Sequence, residues 1–481
     1  MPNWLDRVTG GEATPLDTDT KAKKPAARTG EPANLREAAL QAAAARPRKA
    51  KQDEPPLPPP TIMLEESDPA ALSAGLLTRQ VILGRKFQPE GYVFSLRAGD
   101  DLAQLDPLTR DRWLLDIVDR LGVERLCRYR ALWLPVSPQV LGTALLKQLP
   151  PASTVLMVDI GESQPSPETM VAAALARGRG FRLCLANFRG TNPQKHWLPQ
   201  ADYLEIDSSR VNPLDAGVIP EKLLKAGVAA GVLASHLESQ EDFEFCHKAN
   251  YLLFRGDFLT RREPMARNTS MSPDRITVCS LLNKLRAGAE VDEIADPFRT
   301  SPELAYRFLR YINSVGFGLT IKVASVKQGM VYLGRNKLYR WLTLLLFNPE
   351  HGRSTDAALL EQALVRARMM EQLGEQQMNK VAGDELFIVG IFSMLDVLLK
   401  LPMSVALDPL KLPEAVHGAL VDDSGDYAPY LRLAIACEAN DAQKTAEHAG
   451  LLGFTVDHVN TAHFEALAFA QETLTPDPAL R

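Results

Sequence analysis

No two of the five cysteines in this 481-residue sequence lie close together. Cys127, Cys184, Cys246, Cys279 and Cys437 form no CxxC pair, which argues against a zinc knuckle or a disulfide framework and predicts buried thiols in a reducing compartment. Long apolar runs are missing too. The stretch 387–399 is interrupted by Asp396 and is too short to span a bilayer. The start, Met1-Pro2-Asn3-Trp4-Leu5-Asp6, has no apolar h-region, so secretion is not expected. Charge of one sign is not in excess either. A formal net charge of -5 gives no global attraction to nucleic acid or to an anionic membrane. There is no GxSxG elbow, no glycine-rich loop followed by GK[ST], and no His-Asp pair at His351, His417, His448, His458 or His463. These absences predict a cytoplasmic protein with neither a membrane nor a nucleic-acid partner.

What is present falls into three parts. Residues 1–75 are poor in aromatics and rich in Pro, Ala and charge, and include Pro55-Pro56-Leu57-Pro58-Pro59-Pro60. Such a stretch cannot bury enough apolar surface to offset its ordering entropy, and it reads as a disordered tail. Residues 76–268 alternate short apolar strands with amphipathic stretches. Strands are read at 79–83, 93–97, 132–136, 155–160, 181–188, 203–206, 231–237 and 251–254, with helices at 108–121, 167–176, 221–226 and 241–249. Repeated β-then-α units predict parallel strands, and about eight of them predict a closed barrel with trimmed helices.

From residue 272 to 481 the strand pattern gives way to helices. Ser301-Pro302-Glu303 is a helix start, and Leu304, Phe308, Leu309 and Ile312 follow at helical spacing. Further helices are read at 323–333, 337–346, 356–373, 386–399, 413–420, 430–438, 441–451 and 459–472. The leucines of 386–399 read either as core or as a docking groove. The fold class is thus α/β plus all-α, with the boundary in 265–274.

The stretch Gly180-Phe181-Arg182-Leu183-Cys184-Leu185-Ala186-Asn187-Phe188-Arg189-Gly190 reads as a strand running into a loop. In a parallel barrel the C-terminal strand ends line the active site. Ala186 and Asn187 stand at that end, and neither serves as a carboxylate ligand or a general base.

Segments in a fixed order carry a resemblance. They are Thr78-Arg79-Gln80-Val81-Ile82, Gly91-Tyr92-Val93-Phe94-Ser95-Leu96-Arg97, Val158-Asp159-Ile160-Gly161-Glu162, the 180–190 stretch, Ala201-Asp202-Tyr203-Leu204-Glu205-Ile206-Asp207, Ala234-Ser235-His236-Leu237-Glu238 and Phe254-Arg255-Gly256-Asp257-Phe258. In the helical half they are Tyr311-Ile312-Asn313-Ser314, Tyr332-Leu333-Gly334, Ala363-Leu364-Val365-Arg366-Ala367-Arg368 and Gly390-Ile391-Phe392-Ser393-Met394-Leu395-Asp396. From about Leu77 onward the chain resembles bacterial signalling proteins that join an EAL-type cyclic di-GMP phosphodiesterase domain to an HDOD (HD-related output) domain.

The resemblance implies a barrel site holding two divalent ions through oxygen ligands. Matched by motif, the family's name-giving Glu falls on Val93, a metal-binding Asn on Pro135, an Asp pair on Ala186 and Asn187, a Lys on Glu205 and a late Gln on Arg255. Asp159, Asp207 and Glu238 keep acidic character. The expectation is therefore a degenerate phosphodiesterase-like barrel with no catalytic residues, no bound metal and no cofactor. Its vestigial ligand-binding candidates are Asp159, Asp207, Glu238 and Arg255.

The expected function is a non-catalytic cytoplasmic adaptor, related to cyclic di-GMP signalling proteins and acting through protein partners. Its oligomeric state is left open. The alternative is a cyclic di-GMP sensor, with Arg182, Arg189 and Arg255 meeting phosphate oxygens, or residual phosphodiesterase activity with Mg²⁺ or Mn²⁺.

Overall fold

A computed structural model of the chain describes residues 76–97, 105–122, 130–260, 271–313, 323–347, 355–439 and 441–474. The tail at 1–75, Cys127 and most of the 265–274 boundary lie outside the described residues. The chain divides into two compact units that, apart from Lys86–Gln88, which group with the second, meet in sequence at Phe258 and Leu259.

The first unit is a closed barrel of eight strands in sequence order. They are β1 (Leu76–Gly84), β2 (Pro89–Arg97), β3 (Ala131–Val136), β4 (Thr154–Asp159), β5 (Arg182–Ala186), β6 (Tyr203–Asp207), β7 (Gly231–Leu237) and β8 (Leu253–Gly256). Neighbours from β2 to β8 pair parallel. β1 departs from the all-parallel expectation and runs antiparallel to both β2 and β8. Residues 85–88 explain it. A connection that short makes a hairpin, whereas a parallel crossover needs a dozen or more residues.

Among the described residues the longer helices beside the strands are α1 (Pro107–Arg120), α2 (Pro167–Gly178), α3 (Ile219–Lys225) and α4 (Gln240–Lys248), with single turns at Asn192–Lys195 and Pro213–Ala216. Their starts are written locally. Asp106 accepts from the backbone N–H of Leu108 and Thr109, at 3.0 and 3.1 Å. Ser239 and Asp242 form a capping box on α4.

Strand alternation turns every second residue inward. Ile82, Val93, Trp133, Val155, Met157, Cys184, Leu233 and Leu253 form one buried cluster. Trp133 lies 4.9 Å, centroid to centroid, from Tyr203. Gly91 makes room for it, since a Cβ there would sit 2.6 Å from the indole nitrogen. Each such side chain, fully buried, contributes about 1.5–3 kcal/mol of transfer free energy, so the interior is a packed core and not a pore.

The second unit is helical throughout its described residues. It comprises α5 (Pro273–Arg286), α6 (Val291–Thr300), α7 (Pro302–Ile312), α8 (Val326–Leu333), α9 (Arg335–Leu345), α10 (Thr355–Gln377), α11 (Lys380–Phe392), α12 (Leu395–Leu399), α13 (Met403–Leu407), α14 (Glu414–Val421), α15 (Ala428–Glu438), α16 (Ala442–Leu451) and α17 (Val456–Leu474). Ser301 caps α7 by accepting from Leu304 N–H. The helix read at 386–399 is split in two at Ser393. Its hydroxyl donates to the Gly390 carbonyl and accepts from Arg366 Nη1, each at 2.7 Å. Leu386, Phe387, Val389, Ile391, Phe392, Leu395, Leu398 and Leu399 are all buried, so this stretch is core rather than groove. Among the described residues no helix is long and apolar enough to cross a membrane.

Gly390 of α11 packs on α10 so closely that a Cβ would lie 2.3 Å from Ala367 Cα. Gly390→Ala is therefore an overpacking substitution against backbone, expected to cost about 1–3 kcal/mol. The measurement is urea unfolding followed by a probe in the helical unit. An unchanged midpoint would contradict the close approach.

Candidate functional site

Because β2 to β8 run parallel, their C-terminal ends converge on one rim. A cavity of about 300 Å³ opens there, lined by Ser95, Arg110, Asp111, Pro135, Met157, Asp159, Ala186, Asn187, Glu205, His236 and Arg255 among others. Most of these are inward positions one step above the apolar cluster. At the centre, Arg255 Nη2 meets Glu205 Oε1 at 2.5 Å, with the two side chains 12% and 4% exposed. The other Glu205 oxygen accepts the Asn187 N–H at 3.4 Å. Asn187 holds a left-handed backbone (φ 52°), as does His236 (φ 57°). Such conformations in non-glycine residues cluster at functional sites.

The candidate residues are only partly brought together. Val93 belongs to the apolar cluster below the mouth. Pro135 and Ala186 line the wall. Asp159 is exposed at the end of β4, where its carboxylate accepts the Gly161 N–H at 3.3 Å. Asp207 faces an adjoining cavity of about 350 Å³ with Asn187, Arg189 and Arg210. It accepts from Ser209 N–H and Oγ at 3.1 and 2.6 Å and pairs with Arg210 at 3.0 Å.

Glu238 follows β7 and lies exposed near Asp257, whose carboxyl is pushed up by burial and by the Glu238 charge. Arg182 is not at the mouth. It stands at the N-terminal end of β5 and donates to the Tyr203 hydroxyl at 3.0 Å, at the opposite end of the barrel. Arg189 pairs with Glu162 at 3.7 Å on the exposed rim.

Sequence reasoning missed Arg110, Asp111 and His236. Asp111 carried a signal, being a charged residue on the face of α1 that also presents Leu114, Leu115 and Val118. It is buried, and one carboxylate oxygen accepts both the Ser137 N–H (2.8 Å) and its hydroxyl (2.5 Å). Burial pushes its carboxyl above the usual carboxylate range, although the Ser137 bonds pull the other way.

These residues do not fit the two-ion centre that the resemblance implies. Among the described residues no group of three or more His, Cys, Asp or Glu side chains gathers closely enough to hold a metal ion. Asp111 is taken by Ser137, Glu205 by Arg255, and Asp207 by Ser209 and Arg210.

Removing one partner of a buried ion pair leaves the other uncompensated and costs about 3–5 kcal/mol. Arg255→Gln is expected to lower barrel stability by that order, and Glu205→Gln/Arg255→Gln by clearly less than the Arg255→Gln and Glu205→Gln changes summed. A denaturation double-mutant cycle reads this, and strict additivity would refute the coupling. Asp111 gives a pH signature. A carboxyl raised in the folded state binds its proton more tightly there than in the unfolded chain. Its contribution to stability is thus present at low pH and lost as pH rises through the raised value. Asp111→Asn is expected to flatten that fall in denaturation midpoints taken between about pH 4 and 7.

Residues 274–402 match the HDOD domain family. The chain is 24% identical over 410 residues to cyclic di-GMP phosphodiesterase CdgJ of Vibrio cholerae, covering 82% of this chain and 92% of that protein. It is 23% identical over 384 residues to the uncharacterized protein YuxH of Bacillus subtilis, covering 77% and 92%. A solved EAL domain protein from Listeria monocytogenes is 14% identical over 40% of this chain and 90% of its own, with a TM-score of 0.35. The Vibrio relative, named a phosphodiesterase and matched along nearly its whole length, overturns the expectation that this chain is a degenerate non-enzyme. An eight-stranded barrel thus precedes an HDOD match at residues 274–402, and similarity along most of the chain to a cyclic di-GMP phosphodiesterase relates it to cyclic di-GMP signalling.

Proposed function

We propose that this protein takes cyclic di-GMP at the C-terminal mouth of its barrel. The observation that carries the reading is the pair of adjoining cavities that share Asn187, with Arg110 and Arg255 on one and Arg189 and Arg210 on the other. A cyclic dinucleotide presents two phosphodiesters, and guanidinium forks match phosphate oxygens bidentately. The left-handed Asn187 backbone sits between the two cavities, where it turns the chain between the arginine groups. The name of the Vibrio relative supports the same ligand.

A second reading, hydrolysis of the bound dinucleotide, is favoured by that relative's name. The carboxylates of Asp111, Asp159 and Glu205 line the same cavity. The cytoplasm is the proposed compartment, since the free cysteines Cys184, Cys246, Cys279 and Cys437 are buried thiols suited to reducing conditions.

Calorimetry of the full chain with cyclic di-GMP tests the first reading. Saturable binding is expected, weakened about tenfold or more by Arg110→Ala or Arg210→Ala, as the loss of a charge-assisted hydrogen bond implies. No binding to the wild-type chain would remove the reading. Assay of the same samples for linear dinucleotide, with Mg²⁺ or Mn²⁺ added, decides the second.

A further inference from the structure

The mouth holds a cation of its own. Glu205 is a carboxylate buried at the cavity floor, and both of its oxygens are engaged, one by Arg255 Nη2 at 2.5 Å and the other by the Asn187 N–H. Asp111, also buried on this cavity, is held by Ser137. Asp159 and Asp207 end strands β4 and β6 and open onto different cavities. A divalent ion seated at Glu205 would have to displace the guanidinium from a largely buried pair, with Ala186 and Val93 offering no ligand in exchange.

We propose that Arg255 is the resident cation of the barrel mouth, so that anionic ligands bind there without a divalent ion. A guanidinium carries five N–H donors. The bond to Glu205 uses Nη2, and the remaining donors suit a phosphodiester oxygen at the same place. Positive charge that an ion would otherwise bring to the phosphates is here covalently part of β8 and is held by β6.

This inference rests on the dinucleotide reading above, and two measurements keep the two apart. In the first, cyclic di-GMP is titrated into the full chain by calorimetry in EDTA, then with Mg²⁺ or Mn²⁺. The expected Kd is the same within about twofold, and a tightening of more than about tenfold with the ion overturns the inference while leaving the dinucleotide reading intact. Absence of binding under every condition overturns the dinucleotide reading instead.

The second measurement decides the inference in that case, and uses Mn²⁺ alone with no nucleotide. The thermal unfolding midpoint of the wild-type barrel is expected to stay constant. That of Arg255→Gln is expected to rise with Mn²⁺, because Glu205 is released to bind it. A rise in the wild-type chain that Glu205→Gln abolishes overturns the proposal, and this arm needs no variant of Arg255 to fold.

Discussion

The first unit depends on how its barrel closes. β1 enters between β2 and β8 in the antiparallel sense, because residues 85–88 leave no length for a crossover. One antiparallel strand removes both sheet edges and leaves β2 to β8 aligned in the same direction. The strand-borne side chains of the mouth depend on that alignment. Asp159, Ala186, Glu205 and Arg255 come from β4, β5, β6 and β8, far apart in sequence, and meet because each sits at the C-terminal end of an inward-facing row. The apolar layer around Trp133 supports them from beneath, and its packing limits how far any of them can shift.

Above that layer the chemistry is set by charge pairing. A carboxylate as buried as Glu205 is costly in low dielectric unless a cation or several donors compensate it. Arg255 does so within the barrel wall. The same need acts on Cys184, directly below, whose thiol is pushed well up by its own burial and by the Glu205 charge. The rim follows the same rule, with Arg210 on Asp207 and Arg189 near Glu162. Under the proposed dinucleotide reading, ligand phosphates would compete with these carboxylates for arginine, and selectivity would follow from which pairs can open. The exposed Arg189 pair has little to lose, since water screens it. The buried Glu205–Arg255 pair has much more and acts as a fixed element.

Most of this architecture was legible in the sequence where one period dominates. All eight strands follow from alternating apolar residues, and the Ser301-Pro302-Glu303 start is capped as its chemistry predicts. The same signature stands at Ser272-Pro273-Asp274 and opens α5, inside the polar stretch 265–274 that reads as a boundary. α6 was hidden by Pro297, which sits inside a helix and argues locally against one. Strand direction was not legible from periodicity, because a period of two is the same in either sense. Only the length of the connection distinguishes them. At the site, position along β5 and not parity separates Arg182 from the mouth, since it faces the same way as Ala186 but lies two inward steps below it. Motif order alone groups Glu238 with Asp159 and Asp207, whereas the chain past β7 carries it towards Asp257.

In the helical unit polar groups fix alignment where apolar packing alone would leave choices. α10 and α11 form an antiparallel pair turning at Met378 and Asn379, and three contacts set their register. Near the turn, Gly374 and Gly383 leave space for Leu386 and Glu375. Midway, Gly390 abuts the backbone at Ala367. Farther on, Arg366 donates to Ser393 and forms a two-bond pair with Glu438 of α15, at 3.0 and 2.5 Å. Arg340 of α9, stacked 4.3 Å from the Phe387 ring, joins Glu371 of α10 to Asp384 of α11. A slide of α11 by one turn would take its glycines out of the tight contacts and part Arg366 from Ser393 and Arg340 from Asp384. Leucine and isoleucine along the same face tolerate a shift far better, because apolar contacts are not directional. The conformational uniqueness of this pair thus comes from its glycines and arginines, while the net stability comes from the leucine-rich core around them.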